Sequence, residues 1–379
     1  QNNDLSSGPL VTITGISLKL TRSFYCQVST SVTICVEKNT VTMSIARLSR
    51  FLDSVKQTLF IVGTGLVVFL ALRNSIVWHM QNFWGASGDF WQRRWEELYL
   101  LFNEDEFLLS VFGTFIFTTG VFWACNLFFI LLDLTGKPAF LLKYKIQADR
   151  NTPLRPADFT KAAKVAIYNQ TVVGLPISVL IYFVMRWRGC SSRPDDMPSF
   201  PWSVVEVTIF TLVEEIGFYY SHRMFHHPRI YRFIHKKHHE WTAPIGLVAI
   251  YAHPVEHALS NLVPVALGPV LLGSHLATAW MFWALALFST TVAHCGYHLP
   301  LLPSPEAHDY HHLKFNQNFG VLGVLDRLHG TDAQFRASLA YQRHFLLMSA
   351  VPVTQQVPEP PKKQSVSSEK EDSVSEIEN

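Results

Sequence analysis

Histidine is the residue type with the greatest capacity for chemistry in this sequence, because the neutral imidazole binds metals and also transfers protons. The chain holds 17 histidines, and 15 of them lie between His222 and His329. Eleven fall into four short clusters, HRMFHH at 222–227, HKKHH at 235–239, HCGYH at 294–298 and HDYHH at 308–312. This concentration indicates one shared site.

Within each cluster, histidines lie three or four residues apart. On a helix, residues at this spacing share one face about one turn apart, so they can reach one metal ion or two adjacent ones. The clusters offer about ten imidazoles, whereas one four-coordinate zinc needs three or four ligands. The pattern therefore predicts two metal ions, although imidazole suits iron, zinc, copper and nickel alike. A histidine pH sensor would not require the repeated helical spacing.

The composition indicates a protein that is solvated by lipid. Charged residues make up only 16% of the 379 residues, aromatic residues make up 13%, and the mean hydropathy is +0.16. Soluble domains carry about 25% charge. A net charge of +2 is too small to indicate nucleic acid as a partner. The five cysteines are scattered without a CxxC pair, which argues against a disulfide scaffold and against a cysteine zinc site.

Six apolar stretches precede and separate the clusters, and they are predicted to form four membrane spans followed by a hairpin. They cover residues 58–72, 107–132, 172–187, 202–220, 258–272 and 276–293. The first is short, and breaks at Gly268-Pro269 and Gly273-Ser274 predict that the last two form a hairpin, which either crosses the membrane or turns back within it. The fourth contains Glu206, Glu214 and Glu215. Carboxylates at such depth normally face the interior of a helix bundle.

Basic residues predict that all four clusters lie on one side of the membrane. Lysines and arginines are dense at 137–164 and at 222–240, and positive residues are expected on the cytoplasmic side. If residues 1–45 are cytosolic, successive pairs of spans return both basic segments, and everything from residue 294 onward, to that side. We therefore expect the clusters at the cytosolic surface of the membrane.

The motifs around the clusters are long and specific. They read YYSHR at 219–223, HKKHHEWTAP at 235–244, YAHPVEH at 251–257 and HDYHHLKFN at 308–316. These motifs resemble the histidine boxes of the fatty acid hydroxylase and sterol desaturase superfamily of membrane di-iron enzymes, over residues 95–345. Within that superfamily they look most like the C4-methylsterol oxidase branch.

The resemblance implies an all-α fold, namely a multi-span helical membrane protein with a cytosolic helical cap carrying a histidine-rich dinuclear metal site. It places the protein in the endoplasmic reticulum membrane, with the boxes and the C-terminal tail in the cytosol. The metal ligands that it implies are His222, His226 and His227 in the first box, His235, His238 and His239 in the second, His294 and His298 in an additional pair, and His308, His311 and His312 in the third.

The resemblance also implies two iron ions, with O2 as co-substrate and electrons from NAD(P)H. Zinc can replace iron in a purified sample. The expected electron donor is cytochrome b5 with its reductase, or a similar carrier. His253-Pro254 is followed by Val255-Glu256, not by the Gly-Gly of the cytochrome b5 haem motif. No such domain is fused here, so we expect the donor to be a separate protein.

Seven polar residues near the boxes are candidates to hydrogen-bond the ligands from behind, as is usual around metal-bound histidine. They are Glu215, Glu240, His253, Glu256, His257, Asp309 and Asn316. Glu215 lies seven residues before His222, so on a continuous helix it would sit two turns away on the same face. A structural role is the alternative interpretation for each of the seven.

These features predict an enzyme that oxidises a membrane lipid, with a sterol C4-methyl group as the favoured substrate. The lipid would enter from the bilayer between apolar helices. A second hypothesis is a hydroxylase or desaturase of fatty acyl chains or sphingolipids. A third is a membrane regulator that keeps the fold but no longer turns over substrate, and the intact boxes argue against it.

The chain is expected to divide into four regions. Residues 1–45 form a flexible N-terminal arm, and residues 46–200 contain the first membrane helices and the basic segment. Residues 201–345 form the catalytic region. Residues 351–379 form a tail rich first in proline and then in serine, glutamate and lysine, which holds too few apolar residues to build a core and is expected to be disordered.

Overall fold

Helices account for the regular structure of the part of the chain that is described. The computed structural model describes the backbone of residues 38–359, and the side chains from residue 52 onward with gaps between 54 and 87. Within this range there is no β-strand, and one isolated antiparallel bridge joins Lys145 to Tyr297. The predicted all-α class is confirmed.

The two ends of the chain bear on the predicted arm and tail. The arm lies outside the described residues up to residue 37, and a helix begins at Lys38. The tail lies outside them from residue 360 onward, and its first part contains the short helix Val353–Gln356, in which Val353 is buried. Two compact units divide the chain, one ending at Trp78 and the other beginning at His79. The second unit holds all four histidine clusters.

Seven long helices form the framework of the described chain. They are α1 (Lys38–Leu101), α2 (Glu106–Thr135), α3 (Pro156–Arg188), α4 (Phe200–Phe225), α5 (Pro254–Leu272), α6 (Leu276–His294) and α7 (Glu306–Lys314). The shorter helical segments are Ala139–Tyr144, Pro194–Asp196, Pro228–Tyr231, His235–Glu240, Gly246–Ile250, Val324–His329, Ala333–Arg336, Leu339–Arg343 and Val353–Gln356.

Four helices are long and apolar enough to cross a membrane, namely α2, α3, α5 and α6. The first two contain the predicted spans 107–132 and 172–187. The predicted hairpin consists of two helices of 19 residues each, which turn at Gly273 with a positive φ of 67° that favours glycine. The expected span 202–220 lies in α4, which carries three glutamates and is not among the four.

The helices pack closely where small or aromatic residues meet. A Cβ atom added to Gly268 of α5 would lie 2.8 Å from the backbone and side chain of Phe210 in α4, so glycine is required at this crossing. Between α6 and α2, the Trp280 and Phe117 rings stack with centroids 4.4 Å apart, and the Trp280 indole donates to the Thr114 hydroxyl. These contacts hold α5 against α4 and α6 against α2.

Three of the span-forming helices contain one widened, π-helical turn. The turns are Leu109–Gly113 in α2, Asn169–Gly174 in α3 and His257–Leu262 in α5. Such turns occur frequently at functional sites, because they redirect side chains out of the regular helical register. All three contribute residues to the wall of the interior cavity described below.

A buried ion pair joins the end of α2 to the segment that follows it, and a tyrosine from the segment after α6 bonds to the same pair. Lys145 Nζ lies 2.8 Å from Asp133 Oδ1, and both side chains are at most 3% exposed. Tyr297 donates its hydroxyl to the same Asp133 oxygen at 2.9 Å. Because Tyr297 lies between His294 and His298, this contact fixes the chain at the additional histidine pair.

Candidate metal centre

Nine of the eleven predicted ligand histidines come together in two groups. The first group consists of His222, His226, His235, His239 and His311, and the second of His238, His294, His308 and His312. Within each group, one ring nitrogen of every residue lies within 4.8 Å of the others. The groups are neighbours, since the ring centroids of His239 and His312 are 5.0 Å apart.

The second and third boxes divide their histidines between the two groups in the same way. In each HxxHH box, the two histidines four residues apart join one group and the middle histidine joins the other. The first group receives His235, His239 and His311, and the second receives His308, His312 and His238. The rings three residues apart lie nearly parallel, with centroids 5.4 Å apart in the second box and 5.5 Å apart in the third. Each box therefore bridges both groups.

Hydrogen bonds at the outer ring nitrogen orient most of these imidazoles. Five Nδ1 atoms lie between 2.6 and 3.2 Å from backbone carbonyl oxygens and donate their N–H to them. The pairs are His222 with Phe319, His238 with Tyr251, His294 with Thr290, His311 with Gln317 and His312 with Trp241. This leaves the Nε2 lone pair free to face the centre, as in a metal-binding imidazole.

A carboxylate takes the place of the carbonyl at His235. Its Nδ1 lies 2.8 Å from Glu256 Oε1, and both side chains are at most 5% exposed. A carboxylate that accepts the outer N–H fixes the ring and makes the inner nitrogen a stronger ligand. Glu256 Oε2 has no hydrogen-bond partner among the described residues.

Burial keeps the imidazoles neutral, which metal binding requires. Burial, with a smaller contribution from the neighbouring His222, lowers the pKa of His238 to about 3. Burial also holds the pKa values of His311 and His312 well below the usual value for histidine. The nitrogens are thus available as lone-pair donors at neutral pH.

The inner nitrogens are close enough to require a cation or a proton between them. The Nε2 atoms of His226 and His235 are 2.8 Å apart, and so are those of His294 and His308. The buried Nε2 of His312 has no hydrogen-bond partner within the described part of the chain. Nine neutral imidazoles in this arrangement fit two metal ions that prefer nitrogen ligands.

Two predicted ligands lie outside both groups. His227 is exposed, and its Nδ1 accepts the backbone N–H of Arg229 at 3.3 Å. His298 is fully buried, and its Nε2 donates to the Phe345 carbonyl at 2.9 Å, while its Nδ1 lies 3.4 Å from Glu306. The structure therefore gives His227 a helix-capping contact and His298 contacts with the segment after α7.

Among the seven candidates behind the ligands, Glu256 is the one with a direct bond to a grouped histidine in the described structure. Glu215 instead accepts the backbone N–H groups of Val321, Leu322 and Leu325 at 2.7 to 3.1 Å. These bonds hold the loop whose Phe319 carbonyl anchors His222. Glu215 thus acts on the site through one intervening loop.

The other five candidates lie further from the ligand nitrogens. Glu240 accepts the Tyr251 hydroxyl at 2.7 Å, and Asp309 accepts the Gln147 amide at 2.9 Å. Burial raises the pKa of Asp309 to about 7, although the bond from Gln147 opposes the shift. The remaining three are His253, which caps α5, His257, which pairs with Asn261, and Asn316, which is exposed.

Several contributing residues carry little signal in the sequence. The five anchoring carbonyls belong to the backbone, so no residue type marks them. Gln317 and Phe319 lie within eight residues of the third box, and this closeness is the one feature that could have indicated them. Gln147 lies 162 positions before its partner Asp309, and nothing in its surroundings distinguishes it.

A cavity of about 220 Å³ leads from the histidine groups into the interior of the helices. Its wall includes His238 at one end and Arg186 of α3 at the other. On α6 it is lined from His294 back to Leu276, which corresponds to about 27 Å at 1.5 Å per residue. The wall is mainly apolar, which is typical of a site for an apolar ligand.

A second cavity of about 380 Å³ lies between α4, α6 and the segment after α7. The two cavities share Glu214, Phe218 and Thr290 in their walls, and they meet at His294 and His308. The second histidine group is therefore accessible from two directions, one within the helices and one from the segment after α7.

The described chain thus combines apolar helices long enough to cross a membrane, two adjacent histidine groups that could hold metal ions, and a mainly apolar cavity that begins at these groups. A family model described as fatty acid hydroxylase matches residues 207–331, a region that includes all four histidine clusters. The chain belongs to the fatty acid hydroxylase family, as the motifs predicted, and thus to the membrane oxidoreductases of lipid metabolism.

Three relatives illustrate the similarity. The human fatty acid hydroxylase domain-containing protein 2 is 50% identical over 311 residues, which cover 82% of this chain and 93% of the relative. The methylsterol monooxygenase 2-2 of Arabidopsis thaliana is 34% identical over 63% of this chain and 91% of its own length. The very-long-chain aldehyde decarbonylase GL1-8 of Oryza sativa subsp. indica is 35% identical over 65% and 93%. No solved structure matches the chain at a significant level.

Proposed function

We propose that this chain is a di-iron membrane monooxygenase that oxidises a lipid, with a sterol C4-methyl group as the favoured target. The orientation of the histidine rings carries the proposal. Six of the nine grouped imidazoles donate their outer N–H to a carbonyl or to Glu256, which directs Nε2 toward the centre. A structural histidine cluster has no need for this uniform orientation.

The histidines of the first and second groups would each hold one iron. When bound, the two irons would supply the activation of O2 that hydroxylation of an unactivated C–H bond requires. The protein contributes ligand orientation, exclusion of water and placement of the lipid. Zinc bound in a purified sample would be held by the same nitrogens without providing this redox chemistry.

The interior cavity supports a lipid substrate. It begins at the histidines and follows α6 for its whole length, so an elongated apolar molecule would lie along it with one end at the metals. The sterol assignment rests on the box motifs and on the relative named methylsterol monooxygenase. A fatty acyl substrate is the second candidate, and relatives named fatty acid hydroxylase and aldehyde decarbonylase favour it.

Location and electron supply complete the proposal. Dense basic residues at 137–164 and 222–240 favour a cytosolic position for the boxes, in the endoplasmic reticulum membrane. The electrons would come from NAD(P)H through cytochrome b5 and its reductase, or through a similar carrier. The catalytic region at 201–345 contains the whole family match at 207–331.

The proposal is tested by comparing the lipids of cells that lack the protein with those of cells that express it. The same comparison includes His311→Ala, which removes a fully buried histidine of the first group, and His329→Ala, which removes an exposed histidine outside both groups. We expect 4-methylsterols to accumulate without the protein. The intact protein and His329→Ala should clear them, and His311→Ala should not.

Other outcomes would change the assignment. A fall in hydroxylated acyl or sphingoid lipids with unchanged sterols would replace the substrate and keep the chemistry. If no lipid changes, or if His311→Ala restores every lipid, the enzymatic proposal fails and a regulatory role takes its place.

A further inference from the structure

The segment between α4 and the second box is strongly basic. From Ile216 to His239 the sequence contains five lysines or arginines and no aspartate or glutamate. Four of these cations, Arg229, Arg232, Lys236 and Lys237, lie after α4, and we call them the basic face. Three of them are exposed and Lys237 is half-buried. Within the described chain, none of the four forms an ion pair, so their charge is available to a partner.

The basic face adjoins the grouped histidines along the chain. Lys236 follows His235 in the chain, and Lys237 precedes His238. The segment that bears the face therefore supplies ligands to both histidine groups. A molecule that contacts Lys236 and Lys237 would therefore be bound at residues directly adjacent in the chain to His235 of the first group and His238 of the second.

An aromatic side chain connects this surface to the first group. The half-buried Tyr231 ring lies with its centroid 5.7 Å from that of His226, 6.1 Å from that of His235 and 6.0 Å from that of His239. Tyr231 is itself in the short helix Pro228–Tyr231, between the cations. The Tyr231 ring therefore lies between the basic face and three histidines of the first group.

The face also has an apolar contact point. Phe233 is 67% exposed, and the guanidinium of Arg232 lies 4.4 Å from the centroid of its ring. Arginine and aromatic residues together are enriched in protein interfaces. This combination fits a protein surface in which carboxylates surround a small apolar patch.

The inference rests on the proposed function, because hydroxylation needs electrons from outside the chain. The C–H bond of the lipid becomes C–OH, the second oxygen atom of O2 leaves as water, and the balance requires two electrons and two protons from other sources. We propose that the basic face is the docking surface of an electron-carrier protein with an acidic face. Charge complementarity would steer the carrier to this position, and its electrons would enter beside Tyr231.

The test uses the full chain in nanodiscs of zwitterionic lipid and the soluble haem domain of cytochrome b5 as the probe. The variant is Arg232→Glu/Lys236→Glu, which reverses two exposed charges and removes no histidine. The matched control is Lys137→Glu/Lys164→Glu, which reverses two exposed lysines of the other basic segment. Binding is measured at low and at high ionic strength, and turnover is measured with the reduced haem domain and with a small chemical reductant.

We expect the Arg232→Glu/Lys236→Glu variant to bind the haem domain at least 10-fold more weakly at low salt, with a reduced dependence on salt. Its turnover with the haem domain should fall, and its turnover with the chemical reductant should stay unchanged. The control should behave as the wild type. Equal binding by wild type and variant would overturn the inference.

An anionic membrane surface is the competing occupant of a basic face. If the variant loses binding to phosphatidylserine vesicles but keeps its affinity for the haem domain, the face is a lipid-binding surface and the inference is wrong. If no protein oxidises lipid with either reductant, the proposed function fails, and the binding measurement still decides whether the face recognises an acidic carrier.

Discussion

His235 and His238 lie one turn apart with nearly parallel rings, 5.4 Å between centroids, yet they belong to different histidine groups. The short helix His235–Glu240 is a 3-10 helix, which rises about 2.0 Å per residue and places residues three apart above one another. One turn of this helix, from His235 to His238, therefore leads from the first group to the second. The third box makes the same step between His308 and His311.

The two groups should respond differently to the loss of one histidine. His226 and His308 are both half-buried, and they belong to the group of five and the group of four, respectively. Removal leaves four ligands in the first case and three in the second, and a closed structural site usually has four. We expect His226→Ala to retain both metal ions and His308→Ala to lose about one per chain. Metal analysis of the two purified variants checks this, and equal losses would contradict the separate groups.

Glu256 should control metal affinity through His235. In Glu256→Gln the side chain keeps its size but loses its charge, so His235 becomes a weaker ligand. Loss of such a partner typically lowers metal affinity by about 10- to 100-fold. Glu240→Gln is the matched control, because the Glu240 carboxylate accepts from Lys161 and Tyr251 and has no hydrogen bond to a grouped histidine in the described structure. Competition with a chromogenic chelator measures both affinities, and an unchanged value for Glu256→Gln would show that His235 is oriented by packing alone.

The sequence was sufficient to predict that the histidine clusters come together, and their role as metal ligands stays a prediction. Nine predicted histidines lie in the two groups, because their spacing on short helices leaves few other arrangements. The division between the groups was not predictable. The second box is a 3-10 helix and the third is an α-helix, yet both divide in the same way, so the division depends on how distant segments pack against each other and not on local spacing.

The residues behind the ligands show where sequence reasoning ends. Glu215 shares a helix with His222, so a direct bond was a reasonable expectation, yet its carboxylate accepts three backbone N–H groups of a loop more than 100 residues later. Glu256 belongs to a different helix from His235, and it makes the direct bond. Which carboxylate reaches a ligand is decided by the packing of distant segments, and a single sequence does not contain that information.

The ion pair of Lys145 and Asp133 should be important for stability. Lys145→Met leaves an unpaired carboxylate buried beside Tyr297, and breaking a buried pair in this way costs about 3–5 kcal/mol. Lys145→Met/Asp133→Leu removes both charges and should be less destabilising than the single change. Arg155→Met, in an exposed pair with Asp158, should leave the melting temperature unchanged. A double variant that melts below the single variant would contradict the argument.

Metal removal should destabilise the whole histidine region. Six of the nine grouped imidazoles donate their outer N–H and turn a lone pair toward the centre, where few protons remain to pair with these nitrogens, so binding of a cation favours the folded state. A ligand that binds only the folded state at 100 times its Kd stabilises that state by about 2.7 kcal/mol. We expect a chelator to lower the melting temperature of the purified protein and ferrous iron to restore it.

A double variant supplies the control for the chelator. His235→Ala/His308→Ala weakens both groups, so it should melt at a lower temperature from the start and respond little to chelation. If the wild type loses its metal without any change in melting temperature, the rings are held by their carbonyl and carboxylate partners alone. The groups would then be preformed, and metal binding would add chemistry to the fold without contributing to its stability.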